Sequence, residues 1–580
     1  AVFDKKLRQE YGLDLSGSSA NGKTQYFTSL GFLDDKGYAN DDFYRRYSFR
    51  ANVNSEITDW LSMGGNLAYT YARKNTRGYG RALVFSNTLN SPWLRNADNT
   101  DWCYSEKTGD RMYDYANNSA NFFGEHPVGK GNYWNNPNDE SFNSNEFSTV
   151  SAKYFAEIKL PFDLKFRTAV NLDDNTQNDY GYGSAIHGDG GQLYPYGITV
   201  KTTGGNATRT TYKTTSVTWN NLLTWDKTFG EHSFNAMLGH EYYHYNQQYT
   251  NAYGEGIMQL GQFELSSTTM NWSNSSNRIR YALLSFFGKI DYNFANRYYL
   301  SASFRRDGSS RFSKDSRWGN FFSVGGSWRL SKEAFMENAT SWLDNLALRA
   351  SFGTSGNDKL YQRNGGSAGS EIYYAYQGYY TSDNLYGMSG YKPSTIATPD
   401  LKWEKNKQFN AAVDFGFLGR LNGTIEYYTR NSADLLYYKD LPLSAQVGDA
   451  TGYNTNLGNV RNQGVEITLN FTAIKNRDFE WNIDFNFSTL SNKVTYLPSG
   501  PYNYQVSSAY YRLEEGKSLS EFYMPKNAGV NPENGNMQYW IKDGNGGWKT
   551  TENYAEVTTE DYQWCGSSIP KAFGSITNNL

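Results

Sequence analysis

No stretch of this 580-residue chain approaches the roughly 18 consecutive apolar residues that a membrane-crossing helix requires. A helical membrane protein is thereby excluded. A β-barrel is not, because its signal per strand is weak. Cysteine is nearly absent: Cys103 and Cys565 are the two in the chain, each preceded by tryptophan. That count excludes a disulfide framework and leaves the compartment undecided. A Cys103–Cys565 bridge and two unpaired thiols are both open at this point. No sign of charge dominates, since the formal net charge is −3. No basic stripe stands out either, so nothing resembles a nucleic-acid footprint. With five histidines in all, a metalloenzyme has little to build on. The chain opens Ala1-Val2-Phe3-Asp4, without a basic segment leading into an apolar one. No signal peptide is read there, and for an exported protein the start of the precursor is expected upstream.

What is abundant is aromatic. Residues Phe, Trp and Tyr make up 17% of the chain, with 49 Tyr, 34 Phe and 15 Trp, while the mean hydropathy is clearly polar. A barrel wall, aromatic on its outer girdles and polar within, averages to such a composition.

The clearest local signal is strict alternation. In Val465-Glu466-Ile467-Thr468-Leu469-Asn470-Phe471 the odd positions are apolar and the even ones polar. After a turn at 474–478 the rhythm resumes in Phe479-Glu480-Trp481-Asn482-Ile483-Asp484-Phe485-Asn486-Phe487. Period two sends one set to each face of a sheet. A soluble sandwich would bury the apolar face against a second sheet, whereas a membrane barrel turns it to lipid.

The same template predicts about 17 strands. They fall at 11–18, 24–33, 43–53, 59–71, 152–160, 164–173, 212–226, 232–244, 281–294, 298–305, 319–330, 346–353, 407–417, 421–429, 463–473, 479–490 and 567–578. Alternate connections are short (19–23, 54–58, 161–163, 227–231, 295–297, 418–420, 474–478), with 331–345 the longer exception. The interleaved ones are mostly long (72–151, 174–211, 245–280, 354–406, 430–462, 491–566), with 34–42 and 306–318 shorter. Outer-membrane barrels keep this parity, with short periplasmic turns and long extracellular loops. The reading is therefore an all-β transmembrane antiparallel β-barrel. Its short turns are assigned to the periplasm and its long loops to the cell exterior. A ten-residue strand rises roughly 34 Å and, tilted, covers on the order of 25 Å of membrane height. Single-chain bacterial barrels close with an even number of strands, so an odd count is expected to be part of a larger wall. The first strand also runs downward by this parity, so one more is expected before it.

Residues 305–312 read Arg305-Arg306-Asp307-Gly308-Ser309-Ser310-Arg311-Phe312, followed by Arg317-Trp318-Gly319-Asn320-Phe321-Phe322. Downstream come Leu401-Lys402-Trp403-Glu404, Asp414-Phe415-Gly416-Phe417 and Gly458-Asn459-Val460-Arg461-Asn462-Gln463-Gly464-Val465-Glu466. Then follow Glu515-Gly516-Lys517-Ser518, Ala528-Gly529-Val530-Asn531-Pro532-Glu533-Asn534-Gly535 and Ile569-Pro570-Lys571. In order and spacing these segments resemble the SusC/RagA-like TonB-dependent transporters of Bacteroidetes, and the resemblance covers essentially the whole chain. It implies a barrel of about 22 strands, of which residues 1–580 are one partial barrel domain. An N-terminal plug and the final strands would lie outside this sequence. The implied partners are a SusD-like surface lipoprotein, the TonB complex acting through the plug, and an oligosaccharide or oligopeptide ligand.

Several motifs have plainer readings. His240-Glu241-Tyr242-Tyr243-His244 matches the H-E-x-x-H zinc pattern, which needs a helix to bring both imidazoles to one ion. On a strand, four residues separate them by roughly 13 Å. Here the segment continues an alternating run through Phe234, Ala236 and Leu238, so interfacial aromatics on a strand are expected. Gly516-Lys517-Ser518 is the tail of a P-loop, but Tyr511 stands where the first glycine is required. Asp173-Asp174-Asn175 with Asp179, and Asp543-Gly544-Asn545-Gly546, carry oxygen ligands that could hold calcium. Asp, Asn and Gly are equally ordinary turn residues. No other cofactor and no catalytic residue is expected, and the chain is not read as an enzyme. Arg305, Asp307, Gly308, Arg311 and Trp318 are read as structural, with the arginines pairing carboxylates at the rim.

Substrate contacts are sought in the long loops, since loops mounted on a rigid wall are where function concentrates. Loop 72–151 carries Trp93, Trp102, Tyr104, Tyr113, Tyr115, Tyr133 and Trp134, and loop 354–406 carries Tyr373, Tyr374, Tyr376, Tyr379 and Tyr380. Their flat faces suit sugars or peptide side chains, and equally suit packing the loops together. The function expected is import of oligosaccharides across the outer membrane. Oligopeptide import, a surface adhesion protein anchored by the barrel, and a soluble all-β glycan-binding protein or hydrolase are the alternatives.

Overall fold

The computed structural model describes residues 6–37, 42–76, 101–104, 109, 111, 141–183, 205–257, 261–364, 367–385, 387–498, 500–506 and 509–580. Strand is nearly the whole of its regular structure. The first twelve strands are β1 (Arg8–Ser18), β2 (Thr24–Lys36), β3 (Phe43–Glu56), β4 (Leu61–Thr76), β5 (Phe142–Lys159), β6 (Leu164–Gly183), β7 (Gly205–Phe229), β8 (His232–Ile257), β9 (Met270–Phe294), β10 (Tyr298–Ser309), β11 (Trp318–Arg329) and β12 (Leu343–Asn357). Two loop hairpins follow, β13 (Leu360–Asn364) with β14 (Ser367–Ile372) and β15 (Tyr380–Leu385) with β16 (Met388–Pro393). Then come β17 (Glu404–Phe417), β18 (Leu421–Ala433), the hairpin β19 (Leu436–Asp440) and β20 (Gly452–Asn456), β21 (Asn459–Lys475), β22 (Glu480–Thr489) and β23 (Ser491–Tyr496). The last long connection holds β24 (Tyr502–Val506), β25 (Ala509–Leu513), β26 (Glu521–Met524), β27 (Asn527–Val530), β28 (Met537–Lys542), β29 (Trp548–Thr551) and β30 (Gln563–Ser567) before β31 (Ala572–Asn579).

Eighteen of these segments belong to one sheet. Leu490 alone separates β22 from β23, and both pair with β21 in one running register, so they are two stretches of a single strand. Among the described residues the sheet thus comprises seventeen strands, in line with the about 17 that the alternation predicts.

The chain divides into two compact units, 1–159 with 167–221 and 242–280, and 160–166 with 222–241 and 281–580. In the first, β1 to β5 form an antiparallel meander. Tyr11, Phe32, Tyr47 and Tyr71 sit opposite one another on four successive strands, their ring centroids 5.1 to 6.5 Å apart. In the second, β10, β11, β12, β17, β18, β21 and β22 pair antiparallel in sequence, and β31 closes the series. One face of this unit is apolar from strand to strand. Val324 faces Phe352, Leu348 faces Val413, Val413 faces Ile425, Ile425 faces Ile467, and Phe485 faces Ile576. Many of these side chains are exposed. Water would make so wide an apolar face costly, and it is the face a bilayer covers.

The opposite face is polar. Ser303 and Ser323 share a hydroxyl hydrogen bond of 2.6 Å, Asn470 donates to Asp484 at 2.7 Å, and Arg349 spans Asp414 and Glu426 at 2.8 and 3.0 Å.

The short connections are tight for a stated reason. Ala295 and Asn296, then Leu418 and Gly419, all take positive φ, and Arg297 and Arg420 close the turns onto Phe294 and Phe417. Paired left-handed residues make the turn whose twist matches the flanking strands. Beside these turns lies an aromatic band, Phe294 with Tyr298, Tyr298 with Trp328, and Trp342 with Phe417, at 5.9 to 6.3 Å. The longer connection 330–342 holds two 3-10 turns, Leu330–Lys332 and Ala334–Ala339. Glu333 fastens them by accepting from Trp328 Nε1 at 2.8 Å and pairing with Arg297 at 3.3 Å.

At the opposite ends the strands run further than the alternation indicates. β7 begins at Gly205 rather than 212, β8 continues to Ile257 rather than 244, and β9 begins at Met270 rather than 281. Beyond the bilayer both faces of a strand are wet, so the apolar–polar rhythm stops while the ladder continues.

Other expectations find their places. His240 and His244 lie on β8, a strand throughout, and His240 packs its ring 5.2 Å from Phe286. Gly516, at φ +82°, turns the chain beside β23, with no helix following it. Asp173, Asp174 and Asp179 lie on β6 rather than in a loop. Thr215 donates to Asp174, and Asn145 and Gln177 donate to Asp179. Asp543 accepts the amides of Asn545 and Gly547, both at 2.8 Å, as a turn-closing side chain does. Cys103 and Cys565 form no disulfide with each other.

Candidate functional site

The segment 305–312 runs off the end of β10 and roots the long connection 358–403. Arg311 is 3% exposed. Its Nη2 pairs with Glu371 at 3.2 Å, its Nη1 donates to the Ile372 carbonyl at 3.2 Å, and its Nε stands 3.6 Å from Asp358, a charge contact too long for a hydrogen bond. Its guanidinium lies over two rings, Tyr373 at 4.2 Å and Tyr281 at 4.8 Å. Asp358 in turn accepts from Ser309 at 2.7 Å and from Tyr281 at 2.8 Å. The Tyr373 hydroxyl donates to Glu371, and Lys359 adds a second cation at 3.7 Å. Burial alone would favour neutral Arg311, but Asp358 and Glu371 outweigh it and raise its pKa above the ordinary arginine value. Burial likewise pushes Glu371 upward; the Tyr373 hydrogen bond and the Arg311 charge outweigh it, and its pKa falls below the ordinary glutamate value.

Next in sequence, Phe312 is fully buried and packs with Phe321, Leu360, Ala375, Leu401 and Trp403. Trp403 Nε1 donates to the Arg317 carbonyl at 2.7 Å, tying the far end of the connection to the same place. Gly356 admits this packing, since a Cβ there would come within 2.2 Å of the Phe321 ring. Arg305 is bound differently. It donates to Asp307 at 2.7 Å and to Ser285 at 2.8 Å, and meets Glu241 at 3.3 Å. Arg306 stacks 5.1 Å over Trp318, whose ring also lies 2.9 Å from where a Cβ on Gly308 would stand.

The loop aromatics divide by what they touch. Tyr373 is committed to Arg311 and Glu371. The Tyr374 carbonyl closes a turn with Gln377, and Tyr376 accepts from the Gln377 side chain at 3.0 Å. Tyr379 donates to Gln377 at 3.1 Å. Tyr380 opens the hairpin β15–β16 and is 68% exposed; Tyr391 on the same hairpin is 83% exposed. Lys392 fastens that hairpin to Asp449 at 2.9 Å. In the first unit, Arg111 lies 5.4 Å over Trp102, and Tyr104 bridges to Arg111. Trp93, Tyr113, Tyr115, Tyr133 and Trp134 lie outside the described residues. The partners Asp358, Glu371 and Tyr281, and the exposed Tyr391, are absent from the sequence-based set. Each is distant in sequence from the segment that needs it, and no local pattern marks it.

The arrangement offers a rigid, polar-faced sheet and long connections anchored at their roots, with aromatic side chains held outward. It suits capture of a ligand by stacking. Among the described residues no three His, Cys, Asp or Glu side chains are placed to share a metal ion.

Comparison with known proteins agrees with this architecture. Residues 97–576 match the family described as "TonB dependent receptor-like, beta-barrel". TonB-dependent receptor SusC of Bacteroides thetaiotaomicron is 27% identical over 90% of this chain and 50% of its own length. TonB-dependent receptor P39 of Formosa agariphila is 26% identical over 91% of this chain and 46% of its own. The chain thus spans about half the length of the curated relatives it matches. Among solved structures, the RagAB peptide transporter superposes with a TM-score of 0.74 at 23% identity, covering 99% of this chain and 60% of that one. The RagAB peptide importer in its open-open state gives 0.75 at 24%, covering 98% and 59%. The chain belongs to the TonB-dependent receptor-like beta-barrel family and lies in an outer membrane.

Proposed function

We propose that this chain supplies the wall and outer loops of a TonB-dependent importer that takes up oligosaccharides together with a SusD-like surface lipoprotein. The family match over 97–576 carries the reading. The likeness to SusC, a TonB-dependent receptor, over 90% of this chain supports the SusD-like partner. Ligand is enclosed between the lipoprotein lid and the anchored loops, and a plug domain driven by TonB then releases it inward. The aromatics proposed to contact ligand are Trp93, Trp102, Tyr104, Trp134, Tyr374, Tyr376, Tyr379 and Tyr380; Tyr373, in the same loop, is held beneath Arg311. Oligopeptide import is the second reading, favoured by the fold likeness to a structure titled as a peptide transporter.

Uptake of labelled oligosaccharides and labelled oligopeptides by cells lacking the full-length gene separates the two. The expected result is loss of oligosaccharide uptake alone, restored by the wild-type gene and restored only weakly by one lacking the TonB-contacting segment. Loss of peptide uptake alone would overturn the glycan reading. Unchanged uptake of both would remove transport altogether.

A further inference from the structure

The apolar face of β18, β21 and β22 changes character at its upper end. Tyr427 faces Val465, and one alternation further on Thr429 faces Gln463 and Gln463 faces Ser491. One more alternation sets Arg461 opposite Lys493 on the same outward-directed parity. Here β31 no longer accompanies β22, and the turn 514–518 takes its place beside β23. Gly516 donates to the Val494 carbonyl and Val494 to the Lys517 carbonyl, both at 2.8 Å. Lys571 is fixed in the same way, its carbonyl accepting from Leu490 at 2.9 Å.

These backbones enclose a cavity of about 650 Å³ whose floor is Tyr427 and Val465, the last members of the apolar belt. Lys493, Lys517 and Lys571 line it, against one acidic side chain, Glu521. Among the described residues none of the three ammonium groups has a carboxylate within ion-pair distance. Lys517 instead lies 4.7 Å over the Trp564 ring. Neutral donors complete the lining: Ser518 donates to Asn492 at 3.0 Å and accepts from Ser567 at 3.3 Å. A concave, hydroxyl-lined space with three lysines against one carboxylate attracts an anion with several acceptor oxygens. An apolar floor continuous with the lipid-covered face requires that anion to carry an apolar body. Neither a free phosphate nor a soluble acidic sugar meets both conditions.

We infer that this cavity binds the anionic headgroup of a membrane lipid, its acyl chains lying along Tyr427, Val465 and the belt below. Gly516-Lys517-Ser518, which fails as a nucleotide motif, contributes a cation and a hydroxyl to this headgroup site. Tyr427, Val465 and Lys493 carry the outward parity, while Ser518 reaches Asn492 at the edge of β23.

Trp564 supplies the reporter. Full-length protein is reconstituted in phosphatidylcholine vesicles doped with dibrominated phosphatidylglycerol or dibrominated phosphatidylcholine, and tryptophan quenching is followed. Phosphatidylglycerol is expected to quench at lower mole fraction than phosphatidylcholine, and Trp564→Phe to abolish that difference. A Lys493→Gln/Lys517→Gln/Lys571→Gln variant should need about fivefold more anionic lipid per lysine removed, on the order of a hundredfold in all. Added inorganic phosphate should leave the quenching unchanged. Equal quenching by both lipids, or a triple variant that responds as wild type, overturns the proposal. Displacement by inorganic phosphate overturns the lipid assignment in favour of a soluble anion. If the triple variant fails to fold, the wild-type and Trp564→Phe comparison still decides.

Discussion

Arg311 and Arg349 each meet two carboxylates, yet they do different work. The Arg311 side chain is 4% exposed, and its partners Asp358 and Glu371 are 12% and 24% exposed. Arg349 stands on the polar face of the sheet, 42% exposed, with Asp414 and Glu426 at 26% and 21%. Its two contacts are the shorter, at 2.8 and 3.0 Å against 3.6 and 3.2 Å. Distance is therefore a poor guide to importance. Water screens the Arg349 pairs, whereas the Arg311 charges are shielded from it and met by fixed protein partners. Removing one member of the buried set strands the rest. The wall itself is held by ladders of backbone hydrogen bonds, so its charges can be spent on lining the interior. The loop root has short hairpins and one small core, and depends on its charges.

Phe312→Ala gives the largest expected effect. It removes the centre of the core adjoining Arg311 and should cost about 3–5 kcal/mol. Its mark is a connection 358–403 open to protease in an otherwise folded wall. Arg311→Ala comes next. Leaving Asp358 without its cation, and Glu371 with Lys359 alone, should cost about 3 kcal/mol locally. Hydrogen exchange across residues 371–375 should rise steeply, while exchange in β17 and β18 stays as in wild type. Arg311→Lys keeps the charge and loses the planar stacking on Tyr281 and Tyr373, for about 1–2 kcal/mol. Equal behaviour of the lysine and alanine variants in exchange would show that charge pairing is not what holds the root. Arg349→Ala is the smallest, under about 1 kcal/mol, read as an unchanged unfolding temperature of the detergent-solubilised protein.

Acid offers a way to sharpen the contrast without mutation. The Glu371 carboxyl has its pKa lowered in the folded protein, so it contributes stability above the ordinary glutamate value of 4.5 and loses it as pH falls through the folded value. Protection of residues 371–375 should hold from neutrality to that point and decline below it. In Arg311→Ala this decline should be smaller, because only the Tyr373 hydrogen bond and Lys359 still lower the Glu371 pKa. A decline of the same size in both proteins would mean that another group controls the root.

Much of the wall is legible in the sequence because a bilayer imposes two hard conditions at once. Each strand must alternate, and each return must be short on one side. The alternation Val465 to Phe471 and the turn 418–420 locate β21 and the β17–β18 hairpin directly, and the H-E-x-x-H segment reads correctly as strand. The upper halves of β7, β8 and β9 are not legible. Runs such as Thr208-Arg209-Thr210-Thr211-Tyr212-Lys213 have no apolar face to report, although they pair as strands. The loop hairpins are missed for the same reason and because five or six residues carry little pattern. The loop root lies between. Arg311 stands out in its segment, but Glu371 follows 60 residues later inside an ordinary polar loop. Only the fold brings Asp358, Glu371 and Tyr281 to it.

The central claim is that the apolar belt crosses an outer membrane, with the anchored loops outside and the tight turns inside. Single cysteines at Tyr391→Cys, on the exposed hairpin β15–β16, and at Phe162→Cys, in the tight turn 161–163, test it. Both are placed in the full-length protein after Cys103→Ser and Cys565→Ser. Intact cells are treated with a membrane-impermeant maleimide. The account predicts labelling at residue 391 in intact cells and at residue 162 only after the outer membrane is opened. Labelling of residue 162 in intact cells, with residue 391 protected, would contradict it.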